Sequence, residues 1–203
     1  MSVVSVFNQK GGSGKTMLSV HLAVAAHKAG RKVALLDLDP QGSAAAWRVA
    51  RGDVAEPVVV KVPDQSLERA VAGARADGFN FILIDSQPSV SPVTARIIAA
   101  ADLVLIPIRP QPFDVAAIPA TLKLVGAKPH VFVLSYCPQK APEINETRAA
   151  LLAFGQPVLG PVNDWRSYWR ALVSGRSVAE FEPDGQPAQE IQSIFNGILK
   201  ALT

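Results

Sequence analysis

The residues with the clearest potential for chemistry lie in one short segment near the start of the chain, Lys10-Gly11-Gly12-Ser13-Gly14-Lys15-Thr16. Glycines allow a backbone to curl until several N–H groups point into one hollow that attracts anions. A helix that begins directly after such a turn adds the positive end of its dipole. Lys15 can place an ammonium group beside terminal phosphates, and the Thr16 hydroxyl can ligate Mg²⁺. The segment therefore predicts a phosphate-binding loop.

Three aspartates follow predicted buried strands and are candidate metal-binding or catalytic groups. Asp37 and Asp39 come after the apolar run 33–36, and Asp85 closes the run 81–84. Ligands of open α/β sheets gather at the carboxyl ends of strands, where all three carboxylates are expected. Asp85 is expected to hold Mg²⁺ through water beside the loop. Considered alone, each aspartate is also typical of a helix cap or a turn.

The elements that would position these groups alternate regularly along the chain. Apolar runs typical of buried strands alternate with helical patterns. The predicted strands span residues 3–7, 33–36, 58–62, 79–84, 103–106, 131–134 and 158–159. The predicted helices span residues 17–29, 43–51, 65–77, 92–100, 114–127, 143–154, 165–173 and 186–202. This rhythm predicts an α/β fold, a mostly parallel twisted sheet of about seven strands covered by helices on both faces, in one domain over residues 1–203.

Composition narrows the class of protein further. The 203 residues are 49% hydrophobic and 18% charged, which excludes a disordered chain. No apolar run approaches the ~20 residues of a membrane span, and the first strand begins too early for a signal peptide. The single cysteine, Cys137, excludes an internal disulfide and favours a reducing cytosol, and no Cys/His spacing suggests zinc. The net charge of +3 permits nucleic-acid binding without demonstrating it.

The phosphate-binding segment resembles the deviant Walker A box of the ParA/MinD family of ATPases, whose mark is a second lysine near the start of the loop, here Lys10. The general P-loop pattern has a glycine where this chain has Gln9. The resemblance implies a P-loop NTPase in three αβα layers, with ATP and Mg²⁺ as cofactors. Besides Lys10, Lys15 and Thr16, the nucleotide contacts implied are Gly11, Gly12, Ser13, Gly14 and Met17.

Two aspartate segments extend the resemblance. Asp37-Leu38-Asp39 resembles the Walker A′ box, which implies that Asp39 orients or deprotonates the attacking water and that Asp37 acts through the Mg²⁺ shell. The stretch from Phe81 to Ser89 resembles a Walker B arrangement around Asp85. Family members often carry two prolines after this aspartate, and Gln87 replaces the first, which leaves the shape of the switch loop open.

The proline-rich stretch 106–114 has two interpretations. In shorter ParA-like proteins a similar loop lies near the adenine and at the dimer face, which implies nucleotide contacts for Pro107, Pro110 and Phe113. Because proline fixes φ, the same residues also suit a rigid connection from a strand to a helix.

The segment 164–178 interleaves arginines with aromatic residues. Arg166, Arg170 and Arg176 are candidates for contact with DNA phosphates. The same mixture is typical of an amphipathic helix whose arginine stems cover apolar surface, and both readings stay open.

These observations favour a ParA-type positioning ATPase. The resemblance implies an ATP-bound homodimer in which Lys10 of each subunit reaches the phosphates of the other. It further implies non-specific binding to nucleoid DNA and a small ParB-like or adaptor protein that triggers hydrolysis. The cargo would be a plasmid, a chromosome or a carboxysome-like body, and the protein would be cytoplasmic and nucleoid-associated, with no membrane partner. The alternatives are a MinD-like or metallocluster-insertion ATPase, or a scaffold that binds ATP and DNA without hydrolysis.

Overall fold

A seven-stranded parallel sheet forms the centre of the molecule in the computed structural model, which describes residues 1–88 and 91–203. The strand order is β3-β2-β4-β1-β5-β6-β7, and each neighbouring pair is parallel. The strands are Ser2–Val6 (β1), Val33–Asp37 (β2), Val58–Lys61 (β3), Phe81–Asp85 (β4), Leu103–Ile108 (β5), His130–Leu134 (β6) and Val158–Leu159 (β7). The predicted α/β fold with a parallel sheet is therefore confirmed.

Helices cover both faces of the sheet. One face carries Lys15–Lys28 (α1), Ser43–Ala50 (α2), Arg166–Val173 (α8), Val178–Phe181 (α9) and Gln186–Ala201 (α10). The other carries Leu67–Ala76 (α3), Pro92–Ala100 (α4), Pro112–Ala116 (α5), Ile118–Val125 (α6) and Glu143–Leu152 (α7). Within the described residues, no helix combines the length and the apolar character that crossing a membrane requires.

The central strand shows why both faces are covered. Successive side chains of a strand point to opposite faces. Val4 and Val6 accordingly belong to the cluster packed against α1, whereas Val3 belongs to the cluster packed against α3 and α4. All three valines are fully buried, as an apolar run in a parallel sheet predicts.

The predicted helix over residues 114–127 is wrong in one respect, because the structure divides it into α5 and α6. Pro119 lies in the first turn of α6. A proline has no N–H to donate and its ring collides with the carbonyl four residues earlier, which ends the preceding helix. The short helix α9 was not predicted; Ser177 and Glu180 form a capping box that marks it in the sequence.

A close contact joins the end of α2 to the residue that follows the end of α8. Gly175, just after α8, has a φ of +68°, and a Cβ atom placed on it would lie 2.3 Å from the Ala50 carbonyl oxygen. Arg51 follows α2 and donates to the Gly175 carbonyl and to both carboxylate oxygens of Glu180. Burial by itself raises the pKa of Glu180, but hydrogen bonds from Arg51 and the Ser177 amide, together with the charges of Arg51 and Lys28, outweigh it and lower that pKa.

Candidate nucleotide-binding site

The glycine-rich turn connects the central strand β1 to α1 at the carboxyl edge of the sheet. Gly12 and Gly14 have φ angles of +69° and +90°, a backbone region that favours glycine. Gly14 occupies the N-cap of α1, and no side chain caps this helix end among the residues described. The first amides of α1 are therefore available to an anion, as phosphate binding at a helix N-terminus requires.

The Lys15 side chain is folded into this turn. It is buried, and Nζ donates to the Lys10 carbonyl oxygen over 3.1 Å. Burial lowers the pKa of Lys15, and the negative charges of Asp85 and Asp39 partly oppose that shift. Nearby negative charge thus offsets part of the free-energy cost of removing the Lys15 ammonium group from water.

Asp85 reaches the same turn from the end of β4. Its carboxylate accepts hydrogen bonds from Thr16 Oγ1 over 2.7 Å and from Ser19 Oγ over 3.0 Å. Burial raises the pKa of Asp85 to about 7, although both hydroxyl donors act in the opposite direction. Ser19 was not predicted, but its position three residues after Thr16 on α1 brings it to the same side of the helix.

The oxygen donors at this point fit Mg²⁺. The Thr16 hydroxyl and the Asp85 carboxylate are hard ligands in direct contact, and Mg²⁺ in nucleotide sites takes one or two protein oxygens plus phosphate oxygens and water. Among the described residues there is no cluster of three or more His, Cys, Asp or Glu side chains suited to holding a metal ion without such phosphates.

The two carboxylates after β2 differ in their surroundings. Asp37 is fully buried and accepts hydrogen bonds from the amide N–H groups of Asp39 and Ala45. These bonds fix the backbone at the start of α2. Burial raises the pKa of Asp37. Asp39 is half-buried and lines the cleft; one of its oxygens accepts the Gln41 amide, and the other has no partner within the described part of the chain. Asp39 is therefore the carboxylate free to bind water.

The loop opens into a cleft of about 530 Å³ between α1, α2 and α8. Its walls include residues 12–17 of the loop, Asp39, Trp47 of α2, and the aromatic residues Tyr136 and Trp169. The rings of Tyr136 and Trp169 stack with centroids 5.9 Å apart and planes 5° apart. Neither aromatic residue was predicted as part of the site, although Tyr136 lies two residues after β6, at the edge of the sheet where ligands bind.

The structure does not bring the proline-loop candidates to this cleft. Pro107 lies in β5, where its carbonyl accepts a hydrogen bond from Asn8 Nδ2 over 2.6 Å. Pro110, which precedes α5, is buried, and Phe113 at the start of α5 is 80% exposed. Among the residues described, these three are outside the lining of the cleft, and their contact with a nucleotide stays a prediction.

The remaining candidates lie at the surface. Arg166, Arg170 and Arg176 are exposed on and just after α8, and Arg170 lies over the ring of Phe181. Lys10 is half-buried, and its side chain has no hydrogen-bonding or ionic partner among the described residues. In the switch loop after β4, Gln87 Nε2 donates to Ser91 Oγ, whereas Ser89 at the end of the predicted Walker B stretch lies outside the described residues.

A glycine turn between a central parallel strand and a helix, with a buried lysine and a threonine–aspartate pair, defines a P-loop nucleotide-binding protein. A profile described as the CobQ/CobB/MinD/ParA nucleotide binding domain matches residues 4–178. The chain therefore belongs to the ParA/MinD family, and the resemblance found in its sequence is confirmed.

Named proteins agree with this assignment. The chain is 30% identical to the Maintenance of carboxysome distribution protein A of Gloeobacter kilaueensis, over 98% of this chain and 93% of that protein. A Cyanothece McdA variant in complex with ATP has the same fold, with a TM-score of 0.75 and 19% identity over 100% of this chain and 96% of that one. MinD of Pyrococcus horikoshii with Mg-ADP has a TM-score of 0.74 and 16% identity over 97% and 95% of the two chains.

Proposed function

We propose that this chain, as a single ATPase domain over residues 1–203, hydrolyses ATP and uses the cycle to position a cargo. The observation that carries the proposal is one cleft lined by Lys15, Thr16 and Asp39. Behind it, the buried Asp85 carboxylate accepts a hydrogen bond from the Thr16 hydroxyl, and one Asp39 oxygen has no partner among the described residues. Family membership and similarity to a carboxysome distribution protein support the assignment to the positioning branch.

The residues divide into binding and catalytic groups. The loop amides and Lys15 bind the phosphates, and Thr16 and Asp85 hold Mg²⁺. Asp37 acts through the Mg²⁺ shell, and its hydrogen bonds from the Asp39 and Ala45 amides also fix the start of α2. When bound, Mg²⁺ neutralises charge on the phosphate oxygens. Asp39 orients the attacking water through its free carboxylate oxygen. Phosphoryl transfer depends mainly on positioning and charge stabilisation, so one such carboxylate suffices.

ATP joins two copies of the chain in the proposed cycle. Lys10 reaches the phosphates bound by the other subunit, in the manner of an arginine finger supplied in trans. Its lack of a partner within the described part of one chain supports this role. Sizing chromatography with ATP tests it, since Lys10→Ala is expected to bind nucleotide as a monomer.

The dimer then binds nucleoid DNA without sequence preference through the exposed arginines on and just after α8. Arg166, Arg170 and Arg176 each contribute a positive charge on the same exposed segment. The net charge of one chain is only +3, so two subunits are needed to assemble a strong positive surface. In the proposed cycle the protein acts in the cytoplasm, on the nucleoid, until a small activator triggers hydrolysis and release. A carboxysome-like body is the favoured cargo because of the relative named for carboxysome distribution.

The test measures binding to random duplex DNA with and without a non-hydrolysable ATP analogue, over a range of salt. Affinity is expected only with nucleotide, and log affinity is expected to fall linearly with log salt. Replacing Arg166, Arg170 and Arg176 together by glutamate should remove most of the affinity. The matched control replaces Arg31, Arg69 and Arg75, three exposed arginines elsewhere on the surface. Equal loss in both triple variants, or equal binding without nucleotide, contradicts the proposal.

A further inference from the structure

Arg109 brings a cationic group to the phosphate loop from the neighbouring strand, in addition to Lys10 and Lys15 of the loop itself. It follows β5 directly, and β5 pairs with β1, the strand that enters the loop. A Cβ atom placed on Gly12 would lie 3.7 Å from Arg109 Nη1. The guanidinium group thus lies close enough to Gly12 for an added methyl group to touch it, although Arg109 is not among the described residues that line the cleft.

The orientation of this guanidinium group is fixed by an acidic partner. Arg109 Nε donates to Asp114 Oδ1 over 3.0 Å, and Nη2 donates to Asp114 Oδ2 over 3.1 Å. Asp114 is 2% exposed and lies in α5, so the ion pair is anchored in the body of the protein. Planar, bidentate pairs of this kind restrict both side chains.

The pair leaves one part of the guanidinium group free. Nη1 has no hydrogen-bond partner in the part of the chain that the structure describes, and the side chain is 26% exposed. A purely structural ion pair would need only the two N–H groups that Asp114 accepts. Nη1 instead carries two donors beside a turn whose glycines are arranged for an anion.

We propose that Arg109 is a further nucleotide-binding residue, whose Nη1 donates to the terminal phosphate of a bound nucleoside triphosphate, and that Asp114 is the positioning residue for it. This inference rests on the proposed nucleotide binding at the loop. It assigns to the strand end of β5 a role in distinguishing ATP from ADP. A contact with the terminal phosphate stabilises the triphosphate complex and has no counterpart in the diphosphate complex.

The test compares Arg109→Gln with the wild-type protein by calorimetry, using ADP and a non-hydrolysable ATP analogue. Loss of one charge-assisted contact is expected to lower the affinity for the triphosphate analogue by on the order of tenfold. The affinity for ADP is expected to change by less than about threefold. Asp114→Asn should change the ratio of triphosphate to diphosphate affinity in the same direction but by a smaller factor. Arg109 is retained in this variant but is less well oriented. Arg31→Gln, the same chemical change at an exposed residue, is the control and should leave the ratio unaltered.

The outcomes separate this inference from the proposed function. If the wild-type protein binds neither nucleotide, the proposed function fails. If it binds both, and Arg109→Gln weakens both equally or neither, Arg109 only supports the loop and the inference is overturned. Repeating the measurement with Lys10→Ala in both proteins removes the proposed dimer contact. The ratio should still shift there, and a shift that disappears would overturn the contact within one chain.

Discussion

Lys15 is a buried cation whose hydrogen-bonding partner among the described residues is a neutral backbone carbonyl, so an incoming anion would supply an opposite charge in direct contact. Its pKa is lowered by burial, and the negative charges of Asp85 and Asp39 oppose the shift. A bound triphosphate would supply several negative oxygens at the same place. Lys15 is therefore expected to contribute to affinity, whereas Asp39 is expected to contribute to turnover.

The first prediction concerns affinity. Lys15→Gln should abolish ATP binding measurable by calorimetry, because glutamine offers no charge for the terminal phosphates. Lys123→Gln removes an exposed lysine on α6 and should leave affinity unchanged. Wild-type affinity in Lys15→Gln would show that the ammonium group does not face the nucleotide.

The second prediction separates two carboxylates. Asp39→Ala should retain ATP and Mg²⁺ while phosphate release falls by about 10² or more, the scale of a positioned acid–base group. Asp85→Ala should weaken Mg²⁺-dependent nucleotide binding, because Asp85 contacts the Thr16 hydroxyl. Titrations of ATP with and without Mg²⁺, together with a phosphate-release assay, distinguish the two. The reverse pattern would mean that the two roles are exchanged.

At the scale of secondary-structure elements, the packing of α8 on α2 determines the shape of the cleft. Trp47 of α2 and Trp169 of α8 both line it. The two helices approach so closely at their ends that only a residue without a side chain fits after α8. The cleft wall therefore depends on a contact outside the phosphate-binding loop.

The third prediction tests this contact. Gly175→Ala should lower the free energy of unfolding by about 2 to 4 kcal/mol, because it adds a collision with the Ala50 carbonyl to the strain of a positive φ. Gly52→Ala is the matched control: its φ is +64°, and a Cβ atom there would meet nothing within 4 Å. The control should lose only about 1 kcal/mol. Equal losses in urea denaturation would show that α8 can move away from α2.

At the scale of the whole molecule, α1 links the sheet to the C-terminal helices through His21. The ring is fully buried, its Nδ1 accepts the Val178 amide over 3.2 Å, and its centroid lies 5.1 Å from that of Tyr168. Burial lowers the pKa of His21 from 6.5 to about 3. The folded state thus favours the neutral ring, and the unfolded chain takes up the proton first as the pH falls.

The fourth prediction follows from the lowered pKa of His21 in the folded state. Stability from neutral His21 should be complete above about pH 6.5 and should be lost between pH 6.5 and about 3. The loss is at most about 1.4 kcal/mol per pH unit. His21→Gln retains an acceptor and does not titrate, so the difference in unfolding free energy between wild type and variant should change over this window. Taking the difference cancels contributions from other groups such as Asp85. Parallel pH profiles of the two proteins would contradict the prediction.

The sequence by itself determined the features that depend on neighbours along the chain. The phosphate-binding loop and the strand before it were predictable because glycine and β-branched runs act locally. The aspartates were predictable because each directly follows or ends an apolar run. The family was also recognisable from the spacing of Lys10, Gly14, Lys15 and Thr16. These segments require only that each strand be buried and each turn be tight.

Only the tertiary structure decided which distant residues meet at the loop. Tyr136 and Trp169 stack across 33 positions of sequence, and Arg109 reaches Gly12 because β5 pairs with β1. Strand order in a parallel sheet is set by the packing of crossover helices over the whole domain, so no local pattern contains it. The same packing left Phe113 exposed, whereas the division of the predicted helix at Pro119 is a local effect of the proline. The chemistry of the loop thus depends on residues that are adjacent in sequence. The residues that surround the loop are brought together by long-range packing.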